Sequence, residues 1–509
     1  MSKIKIGWAE EELVFLKPIS LVGQFAERIS EYTEKPLTVT AMAVDSCDEQ
    51  MVLCSADLVN ISYTLVEGVR NLLKDNNMGL DTSKIVINAI HTHTGPGYTG
   101  RKDNNVNQSG QNVSFKTLLE AELPPDKKYI ENANITHNDA IMSEDELYDE
   151  ISTKMARAIL NAWARRESSS FVNAFGRAAV GMCRRVVYSD GSAQMWGDTN
   201  QAVFQELEGG NDSGIELLYV FDNEKNLTGV VANLACPAQC VQHRKFISPD
   251  FWGEVKKLIR EQLGNQVFLL PLCSAAGDQC PIDLVRFVEP ESDINDPNLT
   301  RNNPPKRKAD PSMFDLSGMK KTGKRIANEI IEVYKDGFHE FQSDVVFEHR
   351  ILNMQLPLRR ATLSEEQSAR EAIRTYLNHK EGDVDFNDAA KLLSHLGILR
   401  RIKIQNKLDV VKAEVHIMRL GNIAIATNPF ELFLNYGNQI RARSLAEQTF
   451  IIQLANGTED YLPTEKAEQG GHYSAFISSG SVGHVGGEQL VRETISNINA
   501  MFQIEKEGF

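Results

Sequence analysis

The chain is 509 residues long, 42% of them apolar, with 54 Lys and Arg against 69 Asp and Glu. That length exceeds one small core and predicts two or three domains or subdomains. The formal charge of -15 excludes a nucleic acid or an anionic membrane surface as the natural partner, and no apolar run approaches the ~20 residues of a membrane span.

Met1 to Gly7 contains no apolar segment of signal-peptide length, which predicts a cytoplasmic protein. Met51 to Ala56 reads as a strand ending at Asp57, a candidate for orienting a metal-bound histidine. Ile85 to Ile90 is a continuous apolar run, the pattern of a strand buried on both faces. It leads into His91-Thr92-His93-Thr94-Gly95-Pro96-Gly97. Two imidazoles two residues apart share one face of an extended chain, and the Gly-Pro-Gly turn frees them to grip a metal or move a proton. Without partners elsewhere, the same pattern is a solvated pair at a strand end.

Residues 98 to 143 are polar and Asn-rich and predict a lid-like insertion beside that turn. A helix follows from Glu144 to Arg166. Thr228 to Ala235 reads as a strand leading to Cys236-Pro237, Phe251 to Leu263 as a helix, and Gln266 to Leu272 as a strand leading to Gly277-Asp278. A loop from Glu289 to Pro311 precedes a helix from Lys321 to Tyr334. The composition shifts over Phe341 to Leu358, marking a boundary. Ser364-Glu365-Glu366-Gln367 reads as a capping box opening a helix towards Leu377, and Phe386 to Arg401 as another helix. The last strands are Ile423 to Thr427, leading to Asn428-Pro429-Phe430-Glu431, and Phe450 to Leu454, leading to Ala455-Asn456-Gly457. The class is α/β, with mixed sheets flanked by helices, site residues at strand ends and a smaller, mostly helical C-terminal subdomain. No internal repeat is visible. Seven scattered cysteines suggest neither a disulfide framework nor a zinc finger.

Taken in order, these motifs resemble the catalytic region of the neutral/alkaline non-lysosomal ceramidases, as a divergent bacterial-type member. The resemblance rests on Ile4-Lys5-Ile6-Gly7-Trp8-Ala9, Ala89 to Gly97, Gly277-Asp278-Gln279-Cys280-Pro281, Pro429-Phe430-Glu431, and Tyr461-Leu462-Pro463-Thr464 with Tyr473. It implies a catalytic core over 1–340, completed together with its metal site by 341–509. The immunoglobulin-like C-terminal domain of many members is not expected, since the sequence stops at Phe509.

That resemblance implies a zinc-dependent amidase acting on an N-acyl, lipid-like small molecule. His91, Glu431 and Tyr461 would bind zinc, and His93 would lie beside it. Arg184 would hold an oxyanion and Tyr473 would polarise the amide carbonyl. The chain departs from the family in two places. Pro237 stands where a second zinc histidine belongs, making His243 the nearest substitute ligand. Cys280 replaces a serine and could attack, ligate or only pack. Three readings follow: a zinc amide hydrolase, a hydrolase dependent on Cys280, and a non-catalytic ligand-binding relative. His472, beside Tyr473, is as well read as a loop residue as a pocket residue.

Overall fold

The computed structural model describes residues 2–24, 28–46, 48–74, 78–98, 114–130, 139–288, 308–309 and 313–503. The predicted apolar runs form strands buried along most of their length, as both-face coverage requires: all five residues of Ile85–Ala89, Ile423–Thr427 and Gln448–Ile452 are buried.

These strands belong to three sheets built by one scheme: three successive antiparallel strands, a helix, then a fourth strand parallel to the third. In the first sheet Lys5–Glu12, Thr38–Ser46 and Glu49–Ala56 pair in turn, helix Tyr63–Leu73 crosses over, and Ile85–Ala89 returns beside Glu49–Ala56. The second uses Ser170–Arg177, Gly214–Phe221, Leu227–Leu234, helix Phe251–Leu263 and Phe268–Cys273. The third uses Phe347–Pro357, Val410–Leu420, Ile423–Thr427, helix Leu434–Arg443 and Gln448–Ile452. A long helix follows each unit: Glu144–Ala164, Asp315–Lys335 and His484–Phe502. The sequence shows no repeat, yet the topology repeats three times. A scheme of this kind constrains only where apolar runs and turns fall, so it survives without residue identity.

The sheets meet around one apolar centre, where Trp8, Met42 and Leu53 pack with Leu218, Val231 and Leu270 and with Met418, Ile425 and Phe450. Val345 and Phe347 join Ile4 and Ile6 there, so residues on both sides of 340 share one core. Helices cover the outer faces. The helical segment Leu363–Gln405 keeps its own cluster, which takes in Leu118 and Leu119 of the insertion. No helix among the described residues is long and apolar enough to cross a membrane.

Several boundaries differ from the sequence reading. Thr362, not Ser364, caps helix Leu363–His379, and its capping-box partner is Glu365. The second long helix starts at Asp315, six residues early, because Gly318 and Met319 already pack inward. Phe386 to Arg401 divides into Phe386–Lys391 and Leu393–Gln405. Half of the lid-like insertion (99–113 and 131–138) and most of the second loop (289–307, 310 and 311) lie outside the described residues. Residues 114–130 pack on the C-terminal helical segment, with Ile130 N donating to Val384 O at 2.7 Å.

The strand ends are laced across sheets: Asn456 N donates to Ile87 O at 2.9 Å and Gln453 N to Cys273 O at 3.1 Å. Beneath Asn456 lies a buried polar chain. His349 Nε2 meets His416 Nδ1 at 2.7 Å, His416 Nε2 meets Glu414 Oε1 at 2.8 Å, and Arg70 grips Glu414. Burial, then the neighbouring His416, hold His349 down to about 3. Its unfolded value is near 6.5, so between those limits the unfolded chain binds more protons, and stability is lost as pH falls. Urea midpoints are therefore expected to fall with acidification below pH 6.5, with this group adding at most about 1.4 kcal/mol per pH unit. The slope should flatten in His349→Gln.

Candidate active site

The loops after the parallel strand pairs of the three sheets come together. Ile85–Ala89 ends before His91, which takes a left-handed backbone (φ 68°) two residues past the strand. The two histidines therefore do not share a strand face. The turn swings their rings together instead, edge to face, with Nε2 atoms 3.4 Å apart. Thr92 and Thr94 fasten the turn by donating to Ser248 O, each at 2.8 Å, and Arg28 donates to His93 O at 2.6 Å. Gly23 backs His93 so closely that a Cβ there would lie 2.4 Å from its Cγ.

The third sheet supplies the acid. Glu431 and Tyr461 are neighbours in a short parallel pair, Glu431–Leu432 beside Tyr461–Leu462. His91 Nε2 lies 3.3 Å from Glu431 Oε2. Burial would raise the Glu431 carboxyl, but His91, Arg184 and a hydrogen bond from Tyr461 outweigh it and hold it below its ordinary value. Burial, then Glu431, push the Tyr461 phenol well above 10 and Tyr473 up to about 12. The two tyrosine rings stand nearly perpendicular, 5.5 Å apart. His91, His93, Glu431, Tyr461 and Tyr473 line one cavity of about 300 Å³, with Tyr98 and Asp460 on its wall.

Hydrogen bonding fixes the histidine protons. Val59 O, 2.7 Å from His91 Nδ1, can only accept, so Nδ1 donates and Nε2 is the ring nitrogen that faces Glu431. Val59 O thus orients the ring. Asp57 does not, because it accepts from Thr38 N and Oγ1 and from Lys256. Arg184 Nη1 donates to Gln239 Oε1 at 3.1 Å, which turns the Gln239 amide N–H towards His93 Nε2 at 2.8 Å. Burial, then His91, Arg28 and Arg184, hold His93 far below its ordinary value, so it stays neutral. Gln239 has no sequence signal: no metal or acid-base motif contains a lone glutamine two residues after a proline.

Two atoms as close as His91 Nε2 and Glu431 Oε2 share a cation, either a proton in an imidazolium–carboxylate pair or a metal ion. Zinc ligands at roughly 2.0–2.2 Å from the metal stand about 3.3–3.6 Å apart around a tetrahedron, matching the His91–Glu431 spacing. Among the described residues no three His, Cys, Asp or Glu side chains group as a metal site; the Tyr461 phenol is a further oxygen donor in register with Glu431.

The remaining candidates lie elsewhere. His243 stacks on Phe314 at 5.1 Å and faces Asp315 Oδ1 at 3.6 Å, so it does not close the cluster; the place beside His93 belongs to Gln239. Cys280 is buried in the apolar core with Sγ 3.2 Å from Ile282 O, and it does not line the cavity. That geometry offers a substrate no thiol. Arg184 is buried and spends its Nη atoms on Gln239, Gly277 O (2.9 Å) and Tyr461 OH (3.3 Å), so it braces the site. His472 Nδ1 accepts from Met195 N at 3.1 Å, outside the cavity. All cysteines among the described residues are buried, and none of these forms a disulfide.

Neither a protein-family model nor a curated protein sequence matches the chain. Among solved structures, a neutral ceramidase from Pseudomonas aeruginosa superposes with a TM-score of 0.64 at 14% identity, over 99% of this chain and 75% of its own. A ceramidase complexed with C2 gives 0.65 at 13% identity, over 99% and 76%. The chain has the ceramidase fold. At these identities the likeness is one of fold, and the chemistry has to be argued from the side chains.

Within this ceramidase fold Gln239 does what no sequence motif announces, tying Arg184 to His93. Gln239→Leu removes the donor to His93 and strands an arginine N–H in the interior. It is expected to cost about 2 kcal/mol in urea denaturation, the worth of a buried hydrogen bond to a charged group. Activity should fall 10- to 100-fold, roughly as for lost partners of metal ligands. Unchanged stability and turnover would leave Gln239 without a role.

Proposed function

We propose that the protein is a zinc-dependent hydrolase that cuts the C–N amide of an N-acyl substrate. One observation carries this reading: His91 Nε2 and Glu431 Oε2 converge at 3.3 Å, with Tyr461 in register, on the wall of a cavity large enough for an amide and its flanking atoms. His91, Glu431 and Tyr461 would hold the zinc, leaving one position open. Bound there, zinc supplies Lewis acidity and water acidified to near neutral pH.

The chain's own groups do the rest. Tyr473, protonated up to about pH 12, donates to the carbonyl oxygen as negative charge grows on it. His93 is neutral and 3.4 Å from His91 Nε2, and its own Nε2 accepts from Gln239, so it would hold the rings in place beside the attacking water rather than carry the proton. Arg184 keeps its positive charge beside Glu431 and both tyrosines, offsetting the charge that develops there. Water is consumed: its hydroxyl joins the acyl carbon, the C–N bond breaks, and its proton goes to the nitrogen.

The test is turnover across a panel of N-acyl amides with and without a chelator. The expected result is hydrolysis of at least one member, abolished by chelation and restored by zinc, and untouched by iodoacetamide. Activity that survives chelation but not alkylation would point to a thiol instead.

A further inference from the structure

A second cavity of about 290 Å³ lies next to the first, and Asp460 lines both. Its other walls include Arg400 and Arg401 from helix Leu393–Gln405 and Ser478, Gly480 and Ser481 from the facing turn. Helix and turn are in tight contact, since a Cβ on Gly397 would lie 2.0 Å from Ser478 Cβ.

Arg401 is 6% exposed. Its Nη atoms hold the carbonyls of Arg359, Ser481 and Gly480 at 2.7, 3.1 and 2.8 Å, while its Nε is buried without a partner among the described residues. Arg400 makes no hydrogen bond to any described residue; its Nε is also buried and unmatched, and its guanidinium lies 5.4 Å from the Phe115 ring centre. Neither arginine has a described acid within ion-pair distance. Arg359, near Arg401, faces Glu468 at 3.6 Å. Glu459 is occupied by Ser481 Oγ (2.6 Å) and Tyr63 OH (3.1 Å). Arg401 has its Nη atoms committed to carbonyls and contributes charge, while Arg400 keeps a free planar fork; the two together in a polar cavity suit an oxyanion.

We propose that this cavity is the subsite for an oxyanion on the amine side of the substrate, making that substrate an N-acyl amino acid or N-acyl amino phosphate rather than a neutral N-acyl amine. Asp460 fits this arrangement. It lines both cavities between Glu431, whose N–H donates to Asp460 O at 2.8 Å, and the two arginines, so in this reading its carboxyl would meet the ammonium of the freed amine. The inference rests on the amide-hydrolase reading and names the substrate class within it.

The experiment measures binding and turnover separately in the full chain. Calorimetry on the Glu431→Gln protein compares N-lauroylglycine, N-lauroylethanolamine phosphate and N-lauroylethanolamine, with and without Arg400→Gln or Arg400→Lys. One or both anionic compounds should bind at least 10-fold tighter than the neutral one, and the tighter of them tells carboxylate from phosphate. Arg400→Gln should erase the margin without changing neutral affinity, and Arg400→Lys should keep part of it, with melting temperatures reporting an intact fold. Equal affinities, no binding by any compound, or a margin that survives Arg400→Gln would overturn the subsite. Wild-type turnover of the neutral compound, with no charge preference, would sink the subsite alone. Anion preference with no turnover of any compound would sink the hydrolase and leave the subsite standing.

Discussion

Glu431→Gln is expected to lower kcat/KM by about 1,000-fold or more and to leave less than about 0.1 zinc per chain, exceeding the 10- to 100-fold cost of losing a ligand's outer partner. Glutamine has the same shape and still offers Tyr461 an acceptor, so the short parallel pair that carries both residues should survive. The charge is what disappears. Glu431 is ionised in the interior because His91, Arg184 and Tyr461 outweigh the penalty of burial. Without it, His91 Nε2 faces a neutral amide, and a divalent cation held there would lose its anionic ligand. Circular dichroism close to wild type, together with lost metal and lost turnover, is the expected pattern. Retained zinc and activity within 10-fold would remove Glu431 from the site.

Gly277→Ala should be severely damaging although it touches no reacting group. A Cβ at this position would lie 2.3 Å from Glu431 O and 2.8 Å from its carbonyl carbon, which are backbone atoms that cannot swing aside. Gly277 N also donates to Leu432 O at 2.8 Å, and Gly277 O accepts from Arg184. One methyl therefore pushes apart the acid strand and the arginine brace together. Overpacking costs typically about 1–3 kcal/mol, and a clash with backbone belongs at the upper end. The expected result is about 3 kcal/mol lost in urea denaturation, with activity falling at least 100-fold at temperatures where the protein is still folded. Gly210→Ala, which meets nothing within 4 Å, serves as the control and should stay within about 0.5 kcal/mol. Equal effects at the two positions would show that close packing behind Glu431 does not matter.

Some of this arrangement was legible in the sequence, for physical reasons. Strands covered on both faces have to be apolar throughout, so Ile85–Ala89 and Ile423–Thr427 stand out as unbroken runs. Helix Phe251–Leu263 was readable to its last residue, because Gly264 (φ 123°) ends it. His91 stood out as one of a histidine pair after a strand, whereas Glu431 and Tyr461 were singled out only through the resemblance of their short motifs to the ceramidases. Gln239 was not, since an amide acquires its role only through the arginine and histidine that the fold brings to it. His243 looked like a ligand because spacing along the chain says nothing about direction, and its ring turns to Phe314 and Asp315. Cys280 sits in a chemically suggestive motif, yet its side chain points into the apolar core. The threefold topology leaves no trace in residue identity, and Arg400 and Arg401 belong to no motif; they become a pair at a cavity only through the turn at 477–481.

The most direct measurement is diffraction at the zinc absorption edge from crystals grown without chelator. One anomalous peak is predicted, about 2.0–2.3 Å from His91 Nε2, a Glu431 oxygen and the Tyr461 oxygen, with Gln239 still bonded to His93. Zinc-loaded crystals with no peak among those three side chains, or with metal bound at His243 instead, would contradict it.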